Sequence, residues 1–414
     1  MKLSVRCCIA GGGPAGMMLG LLLARAGVPV LVLEKHADFL RDFRGDTLHP
    51  STLEVMHELG VLDRFLKLPH QPVPKLNGRF GDLEVTVADF SKLPVRCPYI
   101  AFMPQWDFLN FLAEEGRRYP TLQLRMNAEA VDLVEEAGRI VGLLARTQEG
   151  LLEVRAGLVV GADGRHSVVR GRAGLSVEEF GAPMDVLWFR LSRRPTDPVD
   201  PMGRFDAGRI FIMLNRGDYW QCGFVIAKGQ YAEMRRQDFE TFRGAIATLA
   251  PYARDKVREL GSWDDVKLLT VRVDRLVEWS RPGLLCIGDA AHAMSPVGGV
   301  GINLAVQDAV ATANILFAAL REGQLTADYL RRVQKRREFP TRVTQRLQVI
   351  AQQRIIAPVL GETGAVRPPL AVRLLARVPL LRRIPARLIG LGIRPEHIDP
   401  ELVSSAAARR SSQP

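Results

Sequence analysis

Gly11, Gly13 and Gly16 fall in the pattern G-x-G-x-x-G within Cys7-Cys8-Ile9-Ala10-Gly11-Gly12-Gly13-Pro14-Ala15-Gly16, and Glu34 follows after one further apolar segment. Glycines so spaced let a backbone turn come close to a pyrophosphate, and a carboxylate at the end of the next strand can accept both hydroxyl protons of a ribose. That is the chemistry of dinucleotide binding, and an acid at Glu34 favours a ribose without a 2′-phosphate. It requires a strand, a turn and a helix in register. Residues 4–10 read as a buried strand, Pro14 suits a first helical turn, and residues 17–26 are apolar enough for a buried helix that Gly27 can end. Residues 28–33 read as the second strand, with Glu34 and Lys35 at its carboxyl end. The helix start adds free N–H groups and positive partial charge.

Two further segments have the same logic. Residues 156–160 read as a strand that delivers Gly161-Ala162-Asp163-Gly164-Arg165-His166-Ser167 and then Arg170. By itself this could be a simple Asp-Gly turn, or a ligand loop at the carboxyl end of a strand. Residues 284–287 deliver Gly288-Asp289-Ala290-Ala291-His292, and then Ser295-Pro296-Val297-Gly298-Gly299-Val300-Gly301-Ile302-Asn303 opens a helix near Leu304. A strand ending in Gly-Asp, a glycine-rich loop and a new helix start make a place for phosphate, ribityl hydroxyls or an electron-rich ring edge.

In order and spacing the three segments resemble the class A flavoprotein monooxygenases, the group typified by para-hydroxybenzoate hydroxylase, over residues 3–320. The resemblance implies an α/β fold: a Rossmann-like FAD-binding domain of the glutathione-reductase type, an inserted mixed β-sheet substrate domain and a C-terminal helical tail. It also implies site residues. Gly11, Gly13, Pro14, Ala15 and Gly16 would meet the FAD pyrophosphate, and Glu34, with Lys35 beside it, the adenosine ribose. Arg44 and Gln105 match a family arginine and glutamine near the cofactor. Asp163, a cofactor-binding candidate, belongs to the segment that would serve both FAD and the nicotinamide donor, and Asp289 would bind the ribityl or pyrophosphate region. Gly301, Ile302 and Asn303 would present N–H groups to the flavin pyrimidine edge, and Pro296 would lie beside the reacting face. Read without the resemblance, Arg44 is a surface ion-pair residue and Gln105 a helix cap near the start of a helix over residues 106–116. His292 reads as a hydrogen-bonded core histidine and receives no catalytic role.

The implied reaction is hydroxylation of an aromatic or quinone-like small molecule. NAD(P)H reduces FAD, O2 adds to give a C4a-hydroperoxyflavin, and the protein excludes water so that oxygen transfers to the ring. The same FAD unit also serves reductases or dehydrogenases of the geranylgeranyl-reductase type and halogenases, although the chain lacks the W-x-W-x-I-P segment of the latter. A non-catalytic FAD-binding protein at a membrane surface is a third reading.

The expected FAD domain is discontinuous, over residues 1–72, 100–175 and 282–330, with a substrate domain over 73–99 and 176–281. In the latter, residues 209–214 and 219–226 alternate as a β-hairpin around Asn215-Arg216-Gly217-Asp218. Phe211, Met213, Tyr219, Trp220, Cys222 and Phe224, with Pro296, are candidate pocket residues, though alternation lets only half the hairpin face one side.

The chain of 414 residues has 47% hydrophobic and 24% charged residues and five cysteines without metal-site spacing, which fits a globular protein with reduced thiols. The start lacks the apolar core of a secretory signal, so a cytoplasmic location is expected. The net charge of +11 resides in residues 331–414, which hold 17 Lys/Arg against 5 Asp/Glu. With no nucleic-acid module beside it, this basic region reads in two ways. It is a surface for peripheral membrane contact, or a set of short helices broken by Pro368, Pro369, Pro379 and Pro385 that pack their leucines inward and solvate their arginines. The region takes the place of the third domain found in larger polyketide hydroxylases, which is expected to set the chain apart from them.

Overall fold

A computed structural model describes residues 1–40, 47–198, 202–362, 364 and 366–402. Its larger sheet has a parallel centre in which strand Lys2–Ala10 lies between Val30–Leu33 and Gly150–Gly161, with Leu122–Arg125 and Leu284–Cys286 outside them. Residues 7–10, 30–33, 158–161 and 284–286 are buried throughout. A parallel strand covered on both faces calls for such uninterrupted apolar sequence. The first half of Gly150–Gly161 also pairs antiparallel with Arg139–Thr147, which pairs with Glu129–Glu136.

Register brings the motifs to one level. Ala10 is paired with both Leu33 and Gly161, and Gly161 with Cys286. The next residues of all four strands therefore emerge together at the carboxyl edge, at the point where the chain leaves the first strand in one direction and returns in the other. In open α/β sheets that crevice binds ligands. Helix Pro14–Arg25 and the 22-residue helix Gly301–Glu322 cover this part of the sheet. The second of these is long and apolar enough to cross a membrane, yet it is mostly buried inside the protein.

A second, seven-stranded sheet runs in the order Lys267–Leu269, Met184–Ser192, Tyr219–Ala227, Arg209–Asn215, Met202–Asp206, Lys75–Phe80, Leu83–Asp89. All pairs are antiparallel except Met202–Asp206 with Lys75–Phe80. The two strands Arg209–Asn215 and Tyr219–Ala227 form the hairpin read from their alternation.

The C-terminal region departs from expectation in two ways. A boundary at 330/331 falls inside the 25-residue helix Ala327–Ala351, because the charge composition changes there while the backbone continues. Beyond it, helices Leu370–Arg377 and Arg383–Gly390 bury Val372 and Ala386 but leave Leu370, Leu374 and Ile384 exposed, as is Leu380 in the turn between them, so the apolar side chains are not all packed inward.

Candidate FAD site and its comparisons

The turn after the first strand is shaped by contact between backbones. A Cβ on Gly16 would stand 1.9 Å from the carbonyl oxygen of Gly11, so only glycine lets the helix start so close to the turn. Gly13 is different, with no atom within 4 Å of where its Cβ would lie, so its backbone faces open space. Glu34 lies against this turn, its Oε2 accepting from Gly12 N at 3.0 Å and its Oε1 from His36 N at 3.1 Å. Lys35 beside it is exposed.

The second and third motifs meet through Arg165, which donates to Asp289 Oδ2 at 3.2 Å. Asp163 is occupied otherwise: its oxygens accept from Ser167 Oγ at 2.5 Å, Val168 N at 2.7 Å and Val169 N at 3.1 Å, and so hold the start of helix Val168–Arg172. Burial pushes its pKa up, and these hydrogen bonds offset that only in part. Asp163 thereby shapes the loop at the carboxyl end of its strand.

Pro296, half-buried, lies on a loop braced from behind by helix Ala327–Ala351 and the turn that continues it. Gln345 Nε2 donates to Ala293 O at 3.1 Å, Gln348 Nε2 to Ser295 O at 2.9 Å and Val297 O at 2.8 Å, and Gln352 Nε2 to Ser295 Oγ at 2.6 Å. Sequence motifs do not single out these glutamines. The signal that could have done so is their spacing of three and four residues, which puts the three amides on one helical face. Further along the loop, Thr47 Oγ1 donates to Gly299 O at 2.9 Å.

The helix that follows starts at Gly301 and Ile302. Asn303 Oδ1 accepts from His49 N at 3.1 Å and Thr52 Oγ1 at 2.6 Å, so its side chain ties this helix to helix Pro50–Glu58. His49 in turn donates from Nδ1 to Ile389 O at 2.7 Å, and burial lowers its pKa to about 4.

His292 is a core residue. Its Nε2 lies 2.6 Å from Asp308 Oδ2, which also accepts from Gly288 N at 3.0 Å, while Arg337 Nε donates to Oδ1 at 2.9 Å. Burial pushes the Asp308 pKa up, but His292 and Arg337 outweigh it and hold the carboxylate below its ordinary value.

These residues fit a dinucleotide cofactor. Helices Pro14–Arg25 and Gly301–Glu322 both start without a side-chain cap and without an acid in the first turn among the described residues, as do Pro50–Glu58 and Leu370–Arg377, but the first two follow directly on the glycine-rich turns at the carboxyl edge of the parallel sheet. Two sets of first-turn N–H groups are thus left for an anion and for an electron-rich edge. Gln105, half-buried, opens helix Gln105–Gly116. Arg44 lies outside the described residues.

A family model described as the FAD binding domain matches residues 4–347. The chain belongs to this family. It is an FAD-dependent class A flavoprotein monooxygenase of the aromatic hydroxylase type. It is 33% identical to 6-methylpretetramide 4-monooxygenase of Streptomyces rimosus over 383 residues, 92% of this chain and 91% of that one. Para-nitrophenol 4-monooxygenase of a Pseudomonas strain is 26% identical over 333 residues, 77% of this chain and 79% of that one. Among solved structures, OxyS anhydrotetracycline hydroxylase from Streptomyces rimosus superposes with a TM-score of 0.74 at 24% identity, covering 96% of this chain and 78% of that one, a likeness of fold.

In this flavoprotein the pocket residues expected from the hairpin require correction. Phe211, Met213, Trp220, Cys222 and Phe224 point to the sheet face covered by helix Phe239–Leu249 and pack there with Phe242, Ile246 and Leu249. Tyr219 lies half-buried beneath the Arg190 guanidinium, 5.0 Å from the ring centre. The other face carries Trp188, which packs on the same cluster as Val297 of the Pro296 loop, and Leu214, which packs with Phe90 and Phe102. The Trp188 ring lies across Gly223, where a Cβ would stand 3.1 Å from it, and its Nε1 is buried without a partner among the described residues. Alternation alone defines two faces; it does not say which one helix Phe239–Leu249 covers.

Proposed function

We propose that this monooxygenase uses NAD(P)H and O2 to hydroxylate an electron-rich polycyclic phenol, and that the seven-stranded sheet walls the substrate pocket with its Trp188 and Leu214 face. The overall balance is ring C–H, O2, NAD(P)H and one proton giving ring C–OH, water and NAD(P)+. FAD supplies the two-electron chemistry that activates O2.

The chain's own residues bind, orient and exclude water. Gly11, Gly13 and Gly16 admit the pyrophosphate to the first helix start, Glu34 exchanges its backbone partners for ribose hydroxyls, and Asp289 with Arg165 receives the ribityl and pyrophosphate region. The N–H groups of Gly301, Ile302 and Asn303 stabilise negative charge on the pyrimidine edge, as fixed donors at a helix start do. Pro296 and Trp188 hold the substrate ring in a water-poor slot, with the Trp188 Nε1 donor offered to a ring oxygen.

The observation that carries the reading is the meeting of three ligand-type turns and two uncapped helix starts at one edge of the parallel sheet. The polycyclic substrate class rests on the likeness to 6-methylpretetramide 4-monooxygenase over nearly the whole of both chains. The test is turnover of the FAD-loaded protein with NADPH or NADH under 18O2 against a panel from single-ring phenols to tetracyclic phenols. One 18O atom in a polycyclic product supports the proposal. Consumption of NAD(P)H with release of hydrogen peroxide and no label in any product overturns it.

A further inference from the structure

We propose that residues 370–387 form a docking surface for an anionic lipid bilayer. Two short helices, Leu370–Arg377 and Arg383–Gly390, are joined by the turn Pro379–Arg382. Each commits one face to the protein: Val372, Leu375 and Ala376 pack with Leu83, Val85 and Val87, and Ala386 and Ile389 pack with Phe90 and Phe102. The opposite faces would be polar in an ordinary surface helix. Here they carry Leu370 at 70% exposure, Leu374 at 44% and Ile384 at 58%, and the turn between the helices adds Val378 at 40% and Leu380 at 64%.

Exposed arginines stand among these side chains. Arg373 and Arg377 flank Leu374, and Arg383 and Arg387 flank Ile384. None of the four makes an ion pair among the described residues, and residues 363–395 contain seven arginines and no acid. The corner is rigid, since Arg382 donates from Nε to Leu375 O and from its second nitrogen to Ala376 O, both at 2.9 Å, closing the end of the first helix. An apolar stripe rimmed by guanidinium groups matches the interface of an anionic membrane: the leucines enter the acyl boundary while the arginines stay at headgroup level. A second copy of the chain fits poorly. A two-fold contact sets like patch on like patch, and this segment would oppose arginines with arginines and offer no acid to relieve them.

The surface is one helix away from the candidate FAD site. Ile389, in the same helix as exposed Ile384, packs with Met294, Val300 and Leu304 and accepts the His49 hydrogen bond through its carbonyl.

Sedimentation of the full-length, FAD-loaded protein with vesicles of phosphatidylcholine, alone or with phosphatidylglycerol, tests the proposal without reference to catalysis. The expected result is binding to the anionic vesicles only, weakened by salt. Arg373→Gln with Arg377→Gln lowers the partition constant about fivefold for each charge removed. Leu374→Ser with Leu380→Ser lowers it by about tenfold or more. All four side chains are exposed, so the variants keep the unfolding transition of the parent, and a variant that does not is replaced by Leu370→Ser with Ile384→Ser. Equal binding to both vesicle types, or to neither, overturns the proposal. So does a dimer in sedimentation velocity that the leucine variants dissociate, because the patch would then be covered by a second copy.

Discussion

Gln348 closes a ring of hydrogen bonds with Ser295, its Nε2 donating to the Ser295 carbonyl at 2.9 Å and its Oε1 accepting from the Ser295 N–H at 3.2 Å, across 53 residues of sequence. A side-chain amide thereby takes the place of a β-strand partner for a buried loop. The same Nε2 also donates to Val297 O at 2.8 Å, so one residue fixes the backbone on both sides of Pro296. Gln348→Ala strands a buried N–H and two carbonyls, and the expected loss of stability is about 3 kcal/mol. Urea unfolding checks this. Because the loop leads into the helix start at Gly301, flavin release during dialysis should accelerate in the same variant.

The glycine turn separates steric need from ligand approach. Gly16→Ala drives a Cβ into the Gly11 carbonyl, so that variant should lose both stability and flavin. Gly13→Ala meets open space in the protein itself. It should fold like the parent and still hold FAD at least about tenfold more weakly, since only an approaching phosphate feels the added methyl. Fluorescence titration of apoprotein with FAD measures both. Equal FAD affinity in parent and Gly13→Ala would remove the pyrophosphate from this turn.

His49 gives the fold a pH dependence of known sign. Burial lowers its pKa to about 4 from an ordinary 6.5. The unfolded chain therefore takes up a proton, as pH falls below 6.5, that the folded chain refuses until about pH 4. This contribution is fully present above pH 6.5 and is lost progressively across that window, to a total of about 3 kcal/mol. His49→Gln removes it. The difference in unfolding free energy between parent and variant, measured from about pH 7 to about pH 4.5, should shrink steadily on the acid side. A constant difference would mean that His49 titrates normally.

The two faces of the hairpin can be told apart by mutation. Phe224→Ala opens a void beneath helix Phe239–Leu249 and should cost about 3 kcal/mol of stability while leaving KM unchanged. Trp188→Ala, on the opposite face, should raise KM for the aromatic substrate about tenfold through loss of a stacking surface. Steady-state kinetics beside thermal unfolding reads both. The reverse pattern would restore Phe224 to the pocket.

Much of the FAD side is legible in the amino-acid sequence because its determinants are local. A strand buried on both faces has to be apolar throughout, a turn that brings Gly16 against Gly11 has to be glycine at both ends, and the length of the second strand puts the Glu34 carboxylate at its carboxyl end. Three such units within one chain suffice to identify the flavoprotein. The motifs do not reveal how their side chains are spent. Asp163 has the type and place of a ligand residue, and only the fold shows its oxygens held by Ser167, Val168 and Val169.

What tertiary structure alone decided lies where partners are distant in sequence. The amides of Gln345, Gln348 and Gln352 look like an ordinary polar stripe until the Pro296 loop is laid along them, and the alternation of residues 209–227 is the same whichever face a helix covers. The outward leucines of residues 370–384 are of the same kind, since a periodic pattern marks an apolar face without naming what will lie against it. Strand and turn chemistry acts over a few residues and is written in them; burial of a face is a property of two surfaces, and the second is supplied only when the chain has folded.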